Sequence, residues 1–179
     1  MSERVKSLVF AGVEPTQLGK QPDGCLPLHI TLAPSFAHFG EQQQELDEAL
    51  GEIASSVESF PVVGGSEDLF GRNGEYRVRR IAQPYKSLLE LHWSHIALAH
   101  SYDPDVDTSY SGVPYSPHVT YKGDRGLDEG EVLQITHFYR AQKALGETCM
   151  SRVVTAFPLA KSLMSVRDVK NNSFSYQAG

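Results

Sequence analysis

Residues 26–32 (LPLHITL) and 116–123 (SPHVTYKG) contain the same short pattern: a histidine, an apolar residue, a threonine and an apolar or aromatic residue. Both stretches are rich in residues typical of strands, and successive side chains of a strand point to opposite faces. The histidine and the threonine of each stretch therefore share one face, while the residues between them point to a core. Two such strands placed side by side would bring two imidazoles and two hydroxyls together.

The paired pattern indicates chemistry at phosphorus. Displacement at phosphorus needs one group that takes a proton from the nucleophile and one that gives a proton to the leaving oxygen. Histidine does either near neutral pH, so His29 and His118 are the candidate acid–base pair. Thr31 and Thr120 are the candidate phosphate-binding residues, because their hydroxyls can donate hydrogen bonds to non-bridging phosphate oxygens. This arrangement requires no metal ion and no other cofactor.

The rest of the sequence predicts an α+β domain with antiparallel strand pairing. Short strands mix with helices without a strict alternation of the two, which argues against a parallel sheet. Pro34 is expected to end the first motif strand, and residues 128–145 are predicted as a third helix, although part of that segment also fits a strand. The predicted helices cover residues 42–59, 86–100 and 128–145, and the predicted strands and short apolar pieces cover 5–13, 26–32, 60–63, 68–70, 75–82, 117–121, 153–159 and 162–167.

Charge and composition limit the partners of the chain. It has 179 residues, with 16 Lys and Arg against 22 Asp and Glu, and a net charge of −6. Proteins that bind long nucleic acids are usually basic, so we expect a small nucleotide or short oligonucleotide instead. No apolar stretch has the length of a membrane span or a signal-peptide core. The two cysteines, Cys25 and Cys149, are interpreted as reduced thiols. We therefore expect a monomeric cytoplasmic protein without a membrane partner.

Several further side chains are possible substrate-binding residues. Basic residues next to the motifs would attract phosphate if their strand face lines the site, and aromatic rings could stack on a base. The alternative for each is ordinary surface charge or packing in the core. The residues in question are Phe10, Phe36, Tyr76, Arg77, Arg79, Tyr115 and Lys122.

Two patterns that imitate metal sites do not meet the requirements of such sites. His92 and His95 are three residues apart without the glutamate of a zinc-binding helix, so helix packing is the preferred interpretation. The acidic run that begins at Asp103 imitates a calcium loop, but Thr108 and Pro114 stand where that loop needs Gly and Glu. We predict no metal site.

The two motifs, including the proline before His118, resemble those of the 2H phosphoesterase superfamily. This superfamily includes the bacterial 2′-5′ RNA ligase-like proteins and the RNA cyclic phosphodiesterases. The resemblance extends over residues 5 to about 167. It implies one bilobal domain over residues 1–179, with pseudo-twofold symmetry, antiparallel sheets that line a central cleft, and helices outside.

The resemblance also implies an activity. The expected function is metal-independent hydrolysis of 2′,3′-cyclic phosphates or 2′-5′-linked oligonucleotides by the two histidines. One alternative is an activity like that of the phage anti-CBASS phosphodiesterases, which cleave cyclic di- and trinucleotide immune signals and have similar motifs. Another is a nucleotide-binding module that keeps the fold without turnover.

Overall fold

The computed structural model describes residues 3–21, 25–83, 85–109, 115–143, 150 and 152–161. These residues form nine strands, two α-helices and one short 3₁₀ turn at Gly40–Gln42. The α-helices are α1 (Gln43–Ser55) and α2 (Tyr85–Tyr102). The strands are β1 (Arg4–Gly12), β2 (Gly19–Lys20), β3 (His29–Phe39), β4 (Phe60–Phe70), β5 (Tyr76–Gln83), β6 (His118–Thr120), β7 (Val132–Ile135), β8 (His137–Lys143) and β9 (Arg152–Pro158).

All nine strands belong to one sheet, in the order β2-β9-β8-β1-β3-β6-β5-β4-β7. Every pair of neighbouring strands is antiparallel. The two motif strands, β3 and β6, are neighbours near the middle, with β1 beside β3 and β5 beside β6. The predicted α+β class with antiparallel pairing is confirmed. The pair β3–β6 joins the strands β2, β9, β8 and β1 on one side of the sheet to β5, β4 and β7 on the other.

The helices follow from apolar residues that recur every three or four positions. In α1, Leu46, Leu50 and Ala54 are buried, and charged residues occupy the solvent side. Helix α2 packs mainly against β3 and also contacts α1 and β5. The central core therefore joins the sheet to both helices; it includes Ile30, Leu32, Val119, Leu46, Leu50, Leu88 and Leu91.

The third predicted helix, over residues 128–145, is wrong. Strands β7 and β8 occupy the described part of this segment, and β8 lies between β1 and β9. Apolar spacing cannot separate the two structures in so short a run, whereas pairing with both neighbouring strands satisfies the backbone of β8. The predicted strand at 162–167 lies outside the described residues.

Pro34 does not end the first motif strand, because β3 continues to Phe39. The pairing of β1 with β3 is irregular here: Val9 lies opposite Ala33, and Ser7 lies opposite Phe36. Proline is tolerated at such a bulge, since its missing N–H is not needed in the ladder. A bulge thus lets the strand run past the proline.

Strand β4 is longer than the sequence pattern indicated. The apolar pieces at 60–63 and 68–70 belong to one strand, β4, which turns into β5 through Gly71 and Gly74. Both glycines have positive φ angles, 99° and 66°, which explains their place in this turn.

None of the helices in the described ranges has the length and apolar character of a membrane span.

Candidate active site

The two motifs are brought together by one pair of residues in the sheet. Ile30 of β3 lies directly opposite Val119 of β6 in an antiparallel pair, and both side chains are fully buried. The chain neighbours of Ile30 and Val119 point to the sheet face opposite the one that carries these two buried side chains. Antiparallel geometry therefore places His29 beside Thr120 and Thr31 beside His118. Each histidine is the neighbour of the threonine from the other motif.

The two histidines are diagonal neighbours in this arrangement. Diagonal residues on adjacent antiparallel strands lie roughly 7–8 Å apart and remain within reach of long or aromatic side chains. Both imidazoles can therefore approach a single phosphorus atom placed over the two strands. The threonine hydroxyls belong to the same face.

Both imidazole rings are held in the same tautomer by the same local contact. Nδ1 of His29 donates a hydrogen bond to the carbonyl of Pro27 at 2.7 Å, and Nδ1 of His118 donates to the carbonyl of Ser116 at 2.9 Å. A carbonyl can only accept, so Nδ1 carries the proton in each neutral ring. The other ring nitrogen, Nε2, is therefore the one that exchanges protons with a ligand.

A phenylalanine packs against each histidine. The ring of Phe10 in β1 lies 5.0 Å from that of His29, and the ring of Phe70 in β4 lies 4.2 Å from that of His118. These apolar partners remove water from one side of each imidazole. The two halves of the site thus repeat both the motif and its packing partner.

Burial lowers the pKa of both histidines because it disfavours the charged ring. For His29 the pKa falls to about 4, with burial as the main cause and the Lys122 charge as a smaller one; the Pro27 hydrogen bond opposes the shift. The pKa of His118 is also lowered, first by burial and further by the Arg80 charge, against the Ser116 hydrogen bond. Both rings are therefore neutral at pH 7 in the free protein.

Thr31 is positioned by a bulge in β3. Phe10 lies opposite Thr31 while Val9 lies opposite Ala33, so Leu32 is an extra residue in the ladder. The carbonyl of Leu32 accepts a hydrogen bond from Nδ1 of His92 at 2.7 Å. This contact explains the buried histidine of α2 as a packing residue, as the sequence indicated.

Tyr115 fixes the adjacent carbonyl. Its hydroxyl donates to the carbonyl of Thr31 at 2.8 Å, and its ring stacks on His92 with 3.6 Å between centroids. Tyr115 is only 8% exposed, so it is not available to stack on a base. The structure thus places Tyr115 in the packed interior, the alternative that the sequence left open, with its hydroxyl on the backbone of the first motif.

Glu14 connects the segments that lead into the first motif and out of the second. One carboxylate oxygen accepts from the backbone N–H of Leu28 at 2.6 Å, and the other accepts from Arg125 at 2.6 Å. The bonds join residues that are far apart in the chain. Sequence alone offers no pattern that pairs Glu14 with Arg125.

Two of the predicted substrate-binding residues remain on the site's side of the molecule. Tyr76 belongs to the face of β5 that carries Arg80, which lies opposite His118, and its side chain is 52% exposed. Lys122 follows the second motif, and its charge acts on His29. Tyr76 is thus open to solvent on the side of the sheet that carries the histidines.

Arg77 and Arg79 lie on the other face of β5, away from the histidines, as in the alternative that gives them no contact with phosphate. Arg79 is buried and donates to the carbonyls of Leu127 and Gly65 and to the hydroxyl of Tyr121. Arg77 forms a two-point ion pair with Glu67 and lies over the Tyr121 ring. Strand alternation explains both placements.

Phe36 and Phe10 are buried, as in the alternative of packing in the core. Phe36 is 1% exposed in the core, next to Tyr102, and so cannot stack on a base. Phe10 is fully buried and packs against His29 rather than presenting a free face. The sequence signal for both was only their aromatic character.

Arg80 was missed by the sequence analysis although it lies directly opposite His118 in the pairing of β5 with β6. Alternation along 75–82 separates Arg80 from Arg77 and Arg79, but it does not say which face meets the histidines. That choice depends on the register between strands that are distant in sequence.

The metal-like patterns have other partners. Nδ1 of His95 donates to the carbonyl of Leu91 at 2.6 Å, and His92 bonds Leu32 as described above. Within the described ranges, no group of three or more His, Cys, Asp or Glu side chains is arranged to hold a metal ion.

Comparison with known proteins relates the chain to a family. Solved structures of E. coli LigT are similar in fold: the complex with 3′-AMP has a TM-score of 0.61 and 16% identity, and the complex with phosphate has a TM-score of 0.60 and 14% identity. Each match covers 89% of this chain and 100% of the LigT chain. A structure described as a phosphoesterase has a TM-score of 0.59 and 14% identity, and covers 88% of this chain and 99% of its own.

No curated protein sequence gives a significant match. The family model of the 2′-5′ RNA ligase superfamily, in contrast, matches residues 2–142. This match includes both histidine–threonine motifs and confirms the resemblance that they indicated. The chain belongs to the 2′-5′ RNA ligase superfamily.

Proposed function

We propose that this protein is a metal-independent phosphodiesterase that hydrolyses small nucleotides carrying a 2′,3′-cyclic phosphate or a 2′-5′ linkage. The observation that carries the proposal is the register of β3 and β6, in which Ile30 lies opposite Val119. It puts two imidazoles and two hydroxyls on one face, each histidine beside the threonine of the other motif. This is the set of groups that displacement at phosphorus needs.

The proposed reaction begins with a water molecule over the two strands. Nε2 of one histidine takes a proton from the water as its oxygen bonds to phosphorus. The bond from phosphorus to the leaving ribose oxygen breaks, and the second histidine, protonated on Nε2, gives its proton to that oxygen. Thr31 and Thr120 donate hydrogen bonds to the non-bridging oxygens, where negative charge accumulates. Exchange of protons with solvent restores both rings.

A small ligand agrees with the charge of the protein. The net charge of −6 opposes the approach of a long polyanion, whereas a few local cations suffice for one or two phosphates. The similar E. coli LigT has been solved in complexes with 3′-AMP, ATP and NADP⁺. These observations support the assignment to small nucleotides.

The test is a substrate panel of 2′,3′-cyclic nucleotides, 2′-5′ oligoadenylate, and cyclic di- and trinucleotides, with products separated by chromatography. We expect turnover of the first two classes that EDTA does not reduce. His29→Ala and His118→Ala should each lower kcat by about 10²–10⁴-fold, the usual contribution of a general acid or base. The exposed residue His100, on α2, provides the control variant His100→Gln, which should retain activity.

Three outcomes would contradict the proposal. Turnover confined to cyclic di- or trinucleotides would assign the immune-signal substrates instead and leave the paired-histidine mechanism in place. Nucleotide binding in calorimetry without any product would make the protein a binding module. Inhibition by EDTA that zinc reverses would contradict metal independence.

A further inference from the structure

Arg80 completes a row of side chains that crosses four strands. Arg80 of β5 lies opposite His118 of β6, His118 lies beside Thr31 of β3, and Thr31 lies opposite Phe10 of β1. Residues directly opposite each other in an antiparallel pair point to the same face. The guanidinium of Arg80 thus belongs to the face that carries the candidate acid–base pair.

Contacts of the guanidinium keep it next to His118. Its Nε and Nη2 atoms donate to one carboxylate oxygen of Asp68, at 3.1 Å and 2.8 Å. Its Cζ lies 5.7 Å from the centre of the Phe70 ring, and that ring packs at 4.2 Å on His118. Asp68 and Phe70 therefore hold Arg80 on the histidine side of the site.

One guanidinium nitrogen of Arg80, Nη1, takes no part in these contacts. Nη1 is buried and has no hydrogen-bond partner in the part of the chain that the structure describes. A buried donor without an acceptor costs free energy, so such a group normally meets an acceptor in the functional state. The side chain as a whole is 24% exposed although Nη1 is buried, so Nη1 meets a ligand once this partly exposed side chain moves.

We propose that Arg80 is a substrate-binding residue that donates hydrogen bonds to a non-bridging phosphate oxygen on the His118 side of the site. The planar guanidinium suits this task because it offers several donors in a fixed geometry and binds phosphate with two of them. Asp68 orients the group through Nε and Nη2, so Nη1 remains for the ligand. The inference takes its ligand class from the proposed function, but it requires phosphate binding and not turnover.

The neighbouring arginines provide a matched comparison. Arg77 lies three residues away on the same strand and also forms a two-point ion pair, with Glu67, but it is on the opposite face. Replacing Arg77 or Arg80 by glutamine removes one positive charge and one arginine–carboxylate ion pair in each case, although Arg77 bonds both oxygens of Glu67 and Arg80 bonds one oxygen of Asp68. Only the replacement of Arg80 changes the row of side chains that contains His118.

The experiment titrates the full-length protein with inorganic phosphate and follows backbone amide signals near Thr31, His118 and Thr120 by NMR. Arg80→Gln should weaken phosphate binding by about 10- to 100-fold, the effect of losing hydrogen bonds to a charged group. Arg80→Lys, which keeps the charge without the planar geometry, should lose less. Arg77→Gln should bind phosphate within about twofold of the unmodified protein. It removes a charge of the same size as Arg80→Gln does, but from an exposed position on the other face of the sheet, where solvent screens it.

A second measurement tests whether the charge of Arg80 lies beside His118, as the proposal requires. The C2–H signal of His118 gives its pKa, which should rise in Arg80→Gln because a nearby positive charge is removed, and should not change in Arg77→Gln. If Arg80→Gln binds phosphate as tightly as Arg77→Gln does, or leaves the pKa of His118 unchanged, the proposal is overturned. If no nucleotide is hydrolysed but phosphate binding depends on Arg80, the proposed function fails and this inference stands.

Discussion

The hydroxyl of Tyr115 donates a hydrogen bond to the backbone carbonyl of Thr31 at 2.8 Å. Tyr115 precedes the second motif by three residues, and Thr31 belongs to the first. The bond therefore joins the segment just before the second motif to the first motif. With His92 bonded to the next carbonyl, that of Leu32, two consecutive carbonyls of the first motif are fixed by side chains.

Tyr115→Phe tests whether this bond positions Thr31. The variant leaves a part-buried carbonyl without its donor, so the free energy of unfolding should fall by about 1–3 kcal/mol. If Thr31 shifts as a result, kcat should fall severalfold with little change in KM, because the hydroxyl acts on charge that develops in the transition state. Steady-state kinetics and urea denaturation measure the two effects.

Tyr121→Phe is the matched control for that prediction. It also removes a tyrosine hydroxyl that contacts a carbonyl, that of Leu127, and that accepts from Arg79, but on the face of the sheet away from the histidines. A stability loss without a loss of kcat is expected. Equal kcat values for the two variants would show that Tyr115 does not position the site.

The pH dependence of kcat/KM should reflect the lowered pKa values of both histidines. The pKa of His29 is about 4 and that of His118 is below its ordinary value, in each case mainly because of burial. One ring must be neutral and the other protonated, so activity needs a pH between the two values, whichever ring is the acid. We expect a bell-shaped profile with its maximum on the acidic side of pH 6.5. A maximum above neutral pH would contradict this.

Acid should destabilise the protein through buried His95. Its ring is 1% exposed, and burial lowers its pKa to about 4 against the opposing hydrogen bond to Leu91. The unfolded chain therefore takes up a proton first as the pH falls below about 6.5. The stabilising effect is complete above that pH and is lost on the way down to about 4, on the order of 3 kcal/mol for this histidine.

The measurement is the free energy of unfolding from urea titrations between pH 7.5 and 4.5. His95→Leu should flatten the pH dependence even if it changes stability at pH 7.5. His100→Gln, at an exposed position of the same helix, is the control and should keep the original slope. An unchanged slope in His95→Leu would exclude His95 as the titrating group.

The sequence determined the motifs and the face that each presents. Alternation within a strand is a local property of the backbone, so His29 with Thr31, and His118 with Thr120, could be assigned to shared faces from the sequence alone. The same rule separated Arg80 from Arg77 and Arg79. The apolar spacing of α1 and α2 was equally local and was confirmed.

Only the tertiary structure decided how these faces meet. The pairing of Ile30 with Val119 joins residues that are 89 positions apart, and no local pattern encodes such a register. The same long-range pairing turned the segment 128–145 into strands, carried β3 past Pro34 through a bulge, and placed Arg80 rather than Arg77 beside His118. Local chemistry thus determined which groups can act, and hydrogen bonding between distant strands determined which of them share a site.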